Sequence, residues 1–140
     1  MMEKSKIDAF INKLSKETIN DKIYWNHLTN LQNISEDSNP AIFYLLFENE
    51  FHHINYSDSY YAIIGCGEVY IINETSESGR DGTITSGHQM YIHQEESINT
   101  HEVPCSQSDI YRLLNAITAS LSKRENELES FIDFYLESDE

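Results

Sequence analysis

The sequence predicts an α+β domain: an N-terminal helix, an antiparallel sheet of four or five strands, and two C-terminal helices packed on the sheet. Three observations carry this expectation. Ile7, Phe10, Ile11 and Leu14 fall at i, i+3, i+4 and i+7. Tyr60–Ile64 and Glu68–Ile72, rich in β-branched and aromatic residues, flank a Gly-Cys-Gly turn. Apolar residues return to helical spacing from Ile110 onward. The first stripe places a helix at about 3–16, with Lys4, Lys6, Lys13 and Lys16 on its other faces. Thr18–Trp25 then reads as a turn leading into a short strand at about 22–26. Residues 29–40 are polar and end in Ser38-Asn39-Pro40, a loop.

From Ala41 to Tyr56 the apolar run is too continuous for periodicity to separate a buried strand from a buried helix. Its aromatic content favours strands at 42–48 and 51–56, while Pro40 equally suits the first turn of a helix. The hairpin that follows is the firmest β signal. A two-residue turn at Cys66-Gly67 pairs Ile64 with Val69, Ala62 with Ile71, Ile63 with Tyr70 and Tyr61 with Ile72. Both of its faces are then apolar. A sheet with one solvated face alternates apolar and polar residues, so something must cover the second face.

Asn73–Gly87 reads as a Ser/Thr/Gly/Glu loop, followed by a strand at 88–94 and a short one at about 100–104. Ser106 and Asp109 form a capping box at a helix start. Ile110, Leu113, Leu114, Ile117 and Leu121 keep helical spacing behind it. A break at Ser122-Lys123-Arg124 precedes a last helix with Leu128, Phe131, Ile132, Tyr135 and Leu136 on one face. Two short helices so joined pack antiparallel, which places Leu113, Leu114, Phe131 and Leu136 in the core. With no internal repeat and no linker, residues 1–140 read as one domain.

Two phrases, Thr18-x3-Lys22-Ile23-x-Trp25 and Ile110-Tyr-Arg-Leu-Leu-Asn-Ala-Ile117, resemble a group of small, uncharacterised, acidic proteins of Gram-positive bacteria. The resemblance covers the general layout of most of the chain: N-terminal helix, Tyr-rich hairpin, C-terminal helices. It implies a bacterial cytosolic setting, and no activity or site residue comes with it.

Charge bounds the partners. Residues 23–111 hold thirteen acids and one base, Arg80, and the chain carries a formal net charge of −15. Such a field repels nucleic acid and anionic membrane and attracts basic partners. An apolar fraction of 39% with nine Tyr and six Phe is enough to build a core, so acidity does not mean disorder. No apolar run approaches the ~20 residues that span a bilayer. The N-terminus leads into an amphipathic stretch and not into a signal-peptide core. Two cysteines, Cys66 and Cys105, exclude a disulfide framework and suit reduced thiols in a cytoplasmic protein.

No catalytic, cofactor or metal motif stands out. His52 and His53 are adjacent in a strand and point to opposite faces, as do His88 and His93, so neither pair chelates. Cys66 lies between two glycines, but Glu68 and the acidic field disfavour the thiolate that a nucleophile needs. Cys105 precedes a helix, where the dipole favours a thiolate and Asp109 opposes it. Glu48/Glu50 and Glu95/Glu96 lack the apolar surround that would separate two carboxyl pKa values. Gly65-x-Gly67 lacks a third glycine and a following helix, so it is no phosphate cradle.

What remains is a surface. Tyr60, Tyr61, Tyr70 and Tyr91 fall on adjacent strands with Glu68 beside them, and Glu95 and Glu96 follow the next strand. Tyrosine suits interfaces because it joins large area to a polar tip. The sequence therefore predicts a non-enzymatic cytoplasmic binding protein of inhibitor, immunity or adaptor type. These seven residues would contact a basic protein partner, without cofactor, nucleic acid or membrane. A ligand-binding or enzymatic pocket between sheet and helices is the alternative, and a homodimer through the hairpin's open face is a third.

Overall fold

The opening isoleucine stripe folds into helix α1 (Lys4–Ile19) in a computed structural model of the chain, which describes residues 4–28, 52–77 and 82–138. Strand β1 (Trp25–His27) follows. Next come β2 (His52–Ile54), a 3-10 turn at Tyr56–Asp58, and β3 (Tyr60–Ile64). The long pair β4 (Gly67–Glu77) and β5 (Ile84–Gln94) leads to β6 (Thr100–Glu102), and α2 (Gln107–Leu136) closes the chain. The sheet is antiparallel in the order β1-β3-β4-β5-β6, five strands across, and β2 lies in line with β3 against the far half of β4. The predicted α+β class and antiparallel sheet are therefore present. The strand expected at 42–48 lies outside the described residues.

The hairpin register differs from the expected one. The turn is Gly65-Cys66, with Ile64 opposite Gly67, Ile63 opposite Glu68, Ala62 opposite Val69 and Tyr61 opposite Tyr70. The shift is two residues, and because side chains alternate with a period of two, each residue keeps its expected face. Gly67 is extended and needs to be glycine for space: a Cβ there would lie 2.0 Å from the His93 carbonyl oxygen across the ladder. The polar stretch expected as a loop pairs instead. Asn73–Glu77 continue β4 and Ile84–Gly87 begin β5, so their Ser and Thr residues sit in an eleven-residue ladder. β-branched threonines fit a pleated edge, and tertiary pairing outweighs the turn propensity of the serines.

Each face of the sheet buries its own cluster. On the first, α1 supplies Ile7, Ile11 and Leu14, the sheet Trp25, Tyr60, Ala62, Val69, Ile71 and Met90, and α2 Ile110, Leu113, Leu114 and Ile117. On the second, Leu28, Tyr70 and Ile72 are buried, with Ile54, Tyr56, Tyr61 and Tyr91 half-buried beside them. Both faces of the hairpin are thus covered where they are apolar, except Ile63, which is exposed at the turn.

The two expected C-terminal helices are one. Helix α2 opens on the capping box predicted, with Ser106 Oγ accepting from the Asp109 N–H and Asp109 accepting from the Ser106 N–H. It then runs 30 residues through Ser122-Lys123-Arg124. No Gly or Pro stands there, and Lys and Arg are good helix formers, so nothing ends the helix. The last residue it buries is Ser120. Phe131 and Leu136, expected in the core, are exposed. Helices α1 and α2 run parallel: Lys6 and Phe10 line a groove with Val103 and Pro104, just before α2, and at the far end Asp21 meets Lys123 at 2.7 Å. No described helix is long and apolar enough to cross a membrane.

Two substitutions test this packing. Leu113→Ala should lower the free energy of unfolding in urea by about 2–5 kcal/mol, because the cavity it leaves lies between helix and sheet. Gly67→Ala should cost about 1–3 kcal/mol, because β4 and β5 must part to admit a methyl group.

Candidate functional site

The seven residues singled out in the sequence divide into three places. Tyr60 lies on the helix-covered face, 5% exposed, its ring 5.0 Å from that of His27. Burial, then the charge and hydrogen bonding of Asp58, push its hydroxyl above the usual tyrosine pKa. Tyr61, Tyr70 and Tyr91 share the other face. The Tyr61 and Tyr70 rings stack at 6.3 Å, and Tyr91 Oη donates to Glu74 Oε2 at 2.6 Å. Burial and that carboxylate raise the Tyr91 pKa well above the ordinary value. Tyr60 and Tyr70 are buried and the other two half-buried, so these rings pack the sheet instead of presenting free tips.

Glu68, Glu95 and Glu96 gather at the end of the hairpin. They line a hollow of about 510 Å³ with Ile63, Ile64, Gly65, Gly67 and His93. His93 is buried there. Its Nδ1 is 2.9 Å from Glu68 Oε2 and its Nε2 2.6 Å from the Ser97 carbonyl oxygen. The ring is thus held between a carboxylate and a backbone carbonyl. The hollow holds fixed negative charge beside one exposed apolar side chain, an arrangement that suits cation steering. A second hollow of about 390 Å³ joins Glu74, Gln89, Tyr91, Glu102 and Gln107. A third, of about 450 Å³, is an apolar groove between α1 and the β5–β6 edge, floored by Ile7, Phe10, Ile92, Val103 and Pro104 and rimmed by Lys6, His101 and Glu102.

Among the described residues no three His, Cys, Asp or Glu side chains converge on a possible metal position. His88 and His93 face opposite sides of the sheet, and the side chains of His52 and His53 lie outside the described set. Cys66 is exposed at the hairpin turn and Cys105 is half-buried, both as free thiols. Burial, then the charges of Asp109 and Glu102, push the Cys105 thiol up to about 11, against the smaller lowering of a backbone hydrogen bond.

What sequence reasoning missed is that α2 is continuous and that its end is exposed. Ile110, Leu114, Ile117, Leu121, Arg124, Leu128, Phe131 and Tyr135 follow one another at spacings of four and three without a break, the seam of a heptad. Its first half packs on α1 and the sheet. Arg124, the polar member that suggested a break, instead lies over the Tyr24 ring at 3.5 Å and donates to the Trp25 carbonyl. Beyond it every described side chain is exposed: Leu128 59%, Phe131 68%, Ile132 45% and Tyr135 72%. Glu125, Glu127, Glu129, Asp133 and Glu137 surround them. The unbroken spacing was the available signal. Helix α1 ends at Ile19 and the chain turns at Asp21 (φ 60°) into β1, so α2 outruns its partner helix.

Comparison with protein-family models, curated proteins and solved structures finds no match to the chain.

The cysteines give a direct check on the local electrostatics. A thiol raised from 9.0 to about 11 holds about a hundredfold less thiolate near neutral pH. A maleimide should therefore label Cys66 quickly and Cys105 slowly between pH 7 and 9, with the Cys105 rate still climbing towards about pH 11. Intact-mass and peptide analysis would report the two sites separately.

Proposed function

We propose that the protein is a non-enzymatic, cytoplasmic protein-binding module of inhibitor, immunity or adaptor type, whose partner presents an apolar groove with a basic rim. The docking element is the part of α2 beyond Arg124. The observation that carries this reading is its exposed seam of Leu128, Phe131, Ile132 and Tyr135, set among acids with no base. From residue 125 onward the chain has seven acids and neither lysine nor arginine.

Docking an amphipathic helix in a groove buries such a stripe through anchors at i, i+3, i+4 and i+7. The charge decides which groove. Burying those anchors brings the flanking carboxylates against the groove's rim, where acids would repel and bases attract. Glu68, Glu95 and Glu96, with Ile63 beside them, add to the field that steers a basic partner towards the protein. The tyrosines serve the interface indirectly, by holding the sheet on which α2 rests. The two free thiols accord with a reducing compartment.

The test is reconstituted binding. Basic proteins captured from the native cell on the wild-type chain would be purified and titrated against wild type and Phe131→Asp. The variant changes an exposed residue and should leave the fold of the single chain intact, as circular dichroism would report. Binding should weaken by at least about thirtyfold, as for a central anchor. Reversing Glu125, Glu127 and Glu129 to lysine should mainly slow association, and rising salt should weaken binding as charges more than about 8–10 Å apart are screened. Purified partners that bind Phe131→Asp as tightly as wild type would overturn the reading.

A further inference from the structure

The chain itself carries a surface of the required kind. Of its nine bases, Lys4, Lys6, Lys13 and Lys16 lie on α1, all exposed. Spacings of four and three put Lys6, Phe10 and Lys13 on one flank of that helix. That flank borders the apolar groove of Ile7, Phe10, Ile92, Val103 and Pro104, of about 450 Å³. An apolar floor rimmed by Lys6, His101 and Glu102, with Lys13 further along the same helix flank, offers the apolar contact and the bases that an apolar seam flanked by carboxylates lacks.

Resting on the reading of the α2 overhang as the docking element, we infer that the free protein is a reciprocal dimer, each overhang lying in the α1–β6 groove of a second copy. The dimensions agree. Residues 125–136 extend about 18 Å as a helix, and the sixteen residues of α1 about 24 Å. Because α1 and α2 run parallel in one chain, a two-fold axis near the base of the overhang lays each overhang antiparallel to the other copy's α1. Their dipoles then oppose favourably, and the contact occurs twice. Burying Leu128, Phe131, Ile132 and Tyr135 removes on the order of 500 Å² from each overhang. With the groove side added, two contacts reach the roughly 1,000–2,000 Å² of a specific interface. The other symmetric arrangement, overhang against overhang, would juxtapose seven acids from each copy with no base beyond residue 124.

The dimer also regulates docking. While the overhang is held by a second copy, a basic partner must displace that copy to reach Phe131 and Tyr135, so self-association and partner binding compete.

Native mass and sedimentation across the micromolar range, at low and physiological salt, test this. Wild type should have the mass of two chains and dissociate on dilution and on added salt. Phe131→Asp should weaken the dimer by at least about thirtyfold. So should Lys6→Glu with Lys13→Glu, which leaves the overhang untouched. Adding Glu125→Lys, Glu127→Lys and Glu129→Lys to that lysine variant should restore dimerisation. A monomer at every concentration would overturn the inference, and so would a dimer indifferent to the lysine reversals, which would point to paired overhangs. The lysine variant also separates the two readings: it should lose the dimer yet bind a reconstituted basic partner at least as tightly as wild type. A monomeric wild type that still needs Phe131 for a partner would sink the dimer alone. A dimer with no Phe131-dependent partner would sink only the partner reading.

Discussion

Trp25 is the residue through which the helices and the sheet are joined at one end of the fold. Its indole N–H donates to Thr18 Oγ1 at 2.9 Å, and the Thr18 hydroxyl in turn donates to the Leu14 carbonyl at 2.7 Å. Its carbonyl accepts from Arg124 of α2, and its backbone pairs with Ala62 of β3. Both Thr18 and Trp25 are fully buried. A buried indole N–H needs an acceptor, and a hydroxyl on the penultimate residue of α1 meets that need without interrupting the helix. Removing any one of these partners would leave a buried polar group unpaired, which is more costly than the hydrogen bond was favourable. The end of α1, the first strand and the middle of α2 are therefore fixed by one residue, through its indole and its backbone together.

This explains why Thr18 and Trp25 were conspicuous in the sequence without their purpose being visible there. The spacing of seven could be read; the hydrogen bond across the turn could not. The same division holds elsewhere. Element types were legible where the apolar period was strong, as in α1, β3 and β4. The capping box of Ser106 and Asp109 was legible to the residue, because it is a local device. The register was not, because a slip of two residues leaves the alternation of Ile63, Tyr70 and Ile72 unchanged, and the crowding of Gly67 against His93 that selects the turn involves a strand nearly thirty residues away. The continuity of α2 was misread because Arg124 looked like a solvent-facing break. Its place over Tyr24 depends on where β1 lies. The burial of the strand tyrosines was hidden for a related reason: they read alike whether their rings lie under a helix or in water.

Charge is sorted along the chain by element. Lysines dominate the outer side of α1, acids dominate the hairpin end, and acids alone follow Arg124. Lys123 and Arg124 stand at the boundary, one paired with Asp21 and the other with the Trp25 carbonyl and the Tyr24 ring. They hold the root of the overhang to the body, so the acidic stretch begins where the packed seam ends. A net charge of −15 thus describes no single surface.

Gln107, the first residue of α2, carries a further consequence. Its carboxamide oxygen accepts from the His88 N–H at 3.1 Å, and its amide nitrogen donates to the His88 carbonyl at 2.6 Å. The side chain thereby imitates one residue of a neighbouring strand, at a stretch of β5 that the three-residue β6, opposite 91–93, does not reach. Gly87 leaves room for it, since a Cβ there would come within 3.1 Å of the same oxygen. An exposed row of backbone donors and acceptors is a template on which further chains can be added, the first step towards amyloid. A glutamine spliced into that row interrupts it at its middle. A helix residue posing as backbone occupies the sheet margin at His88, which shortens the open edge of β5 on which a further strand could be laid.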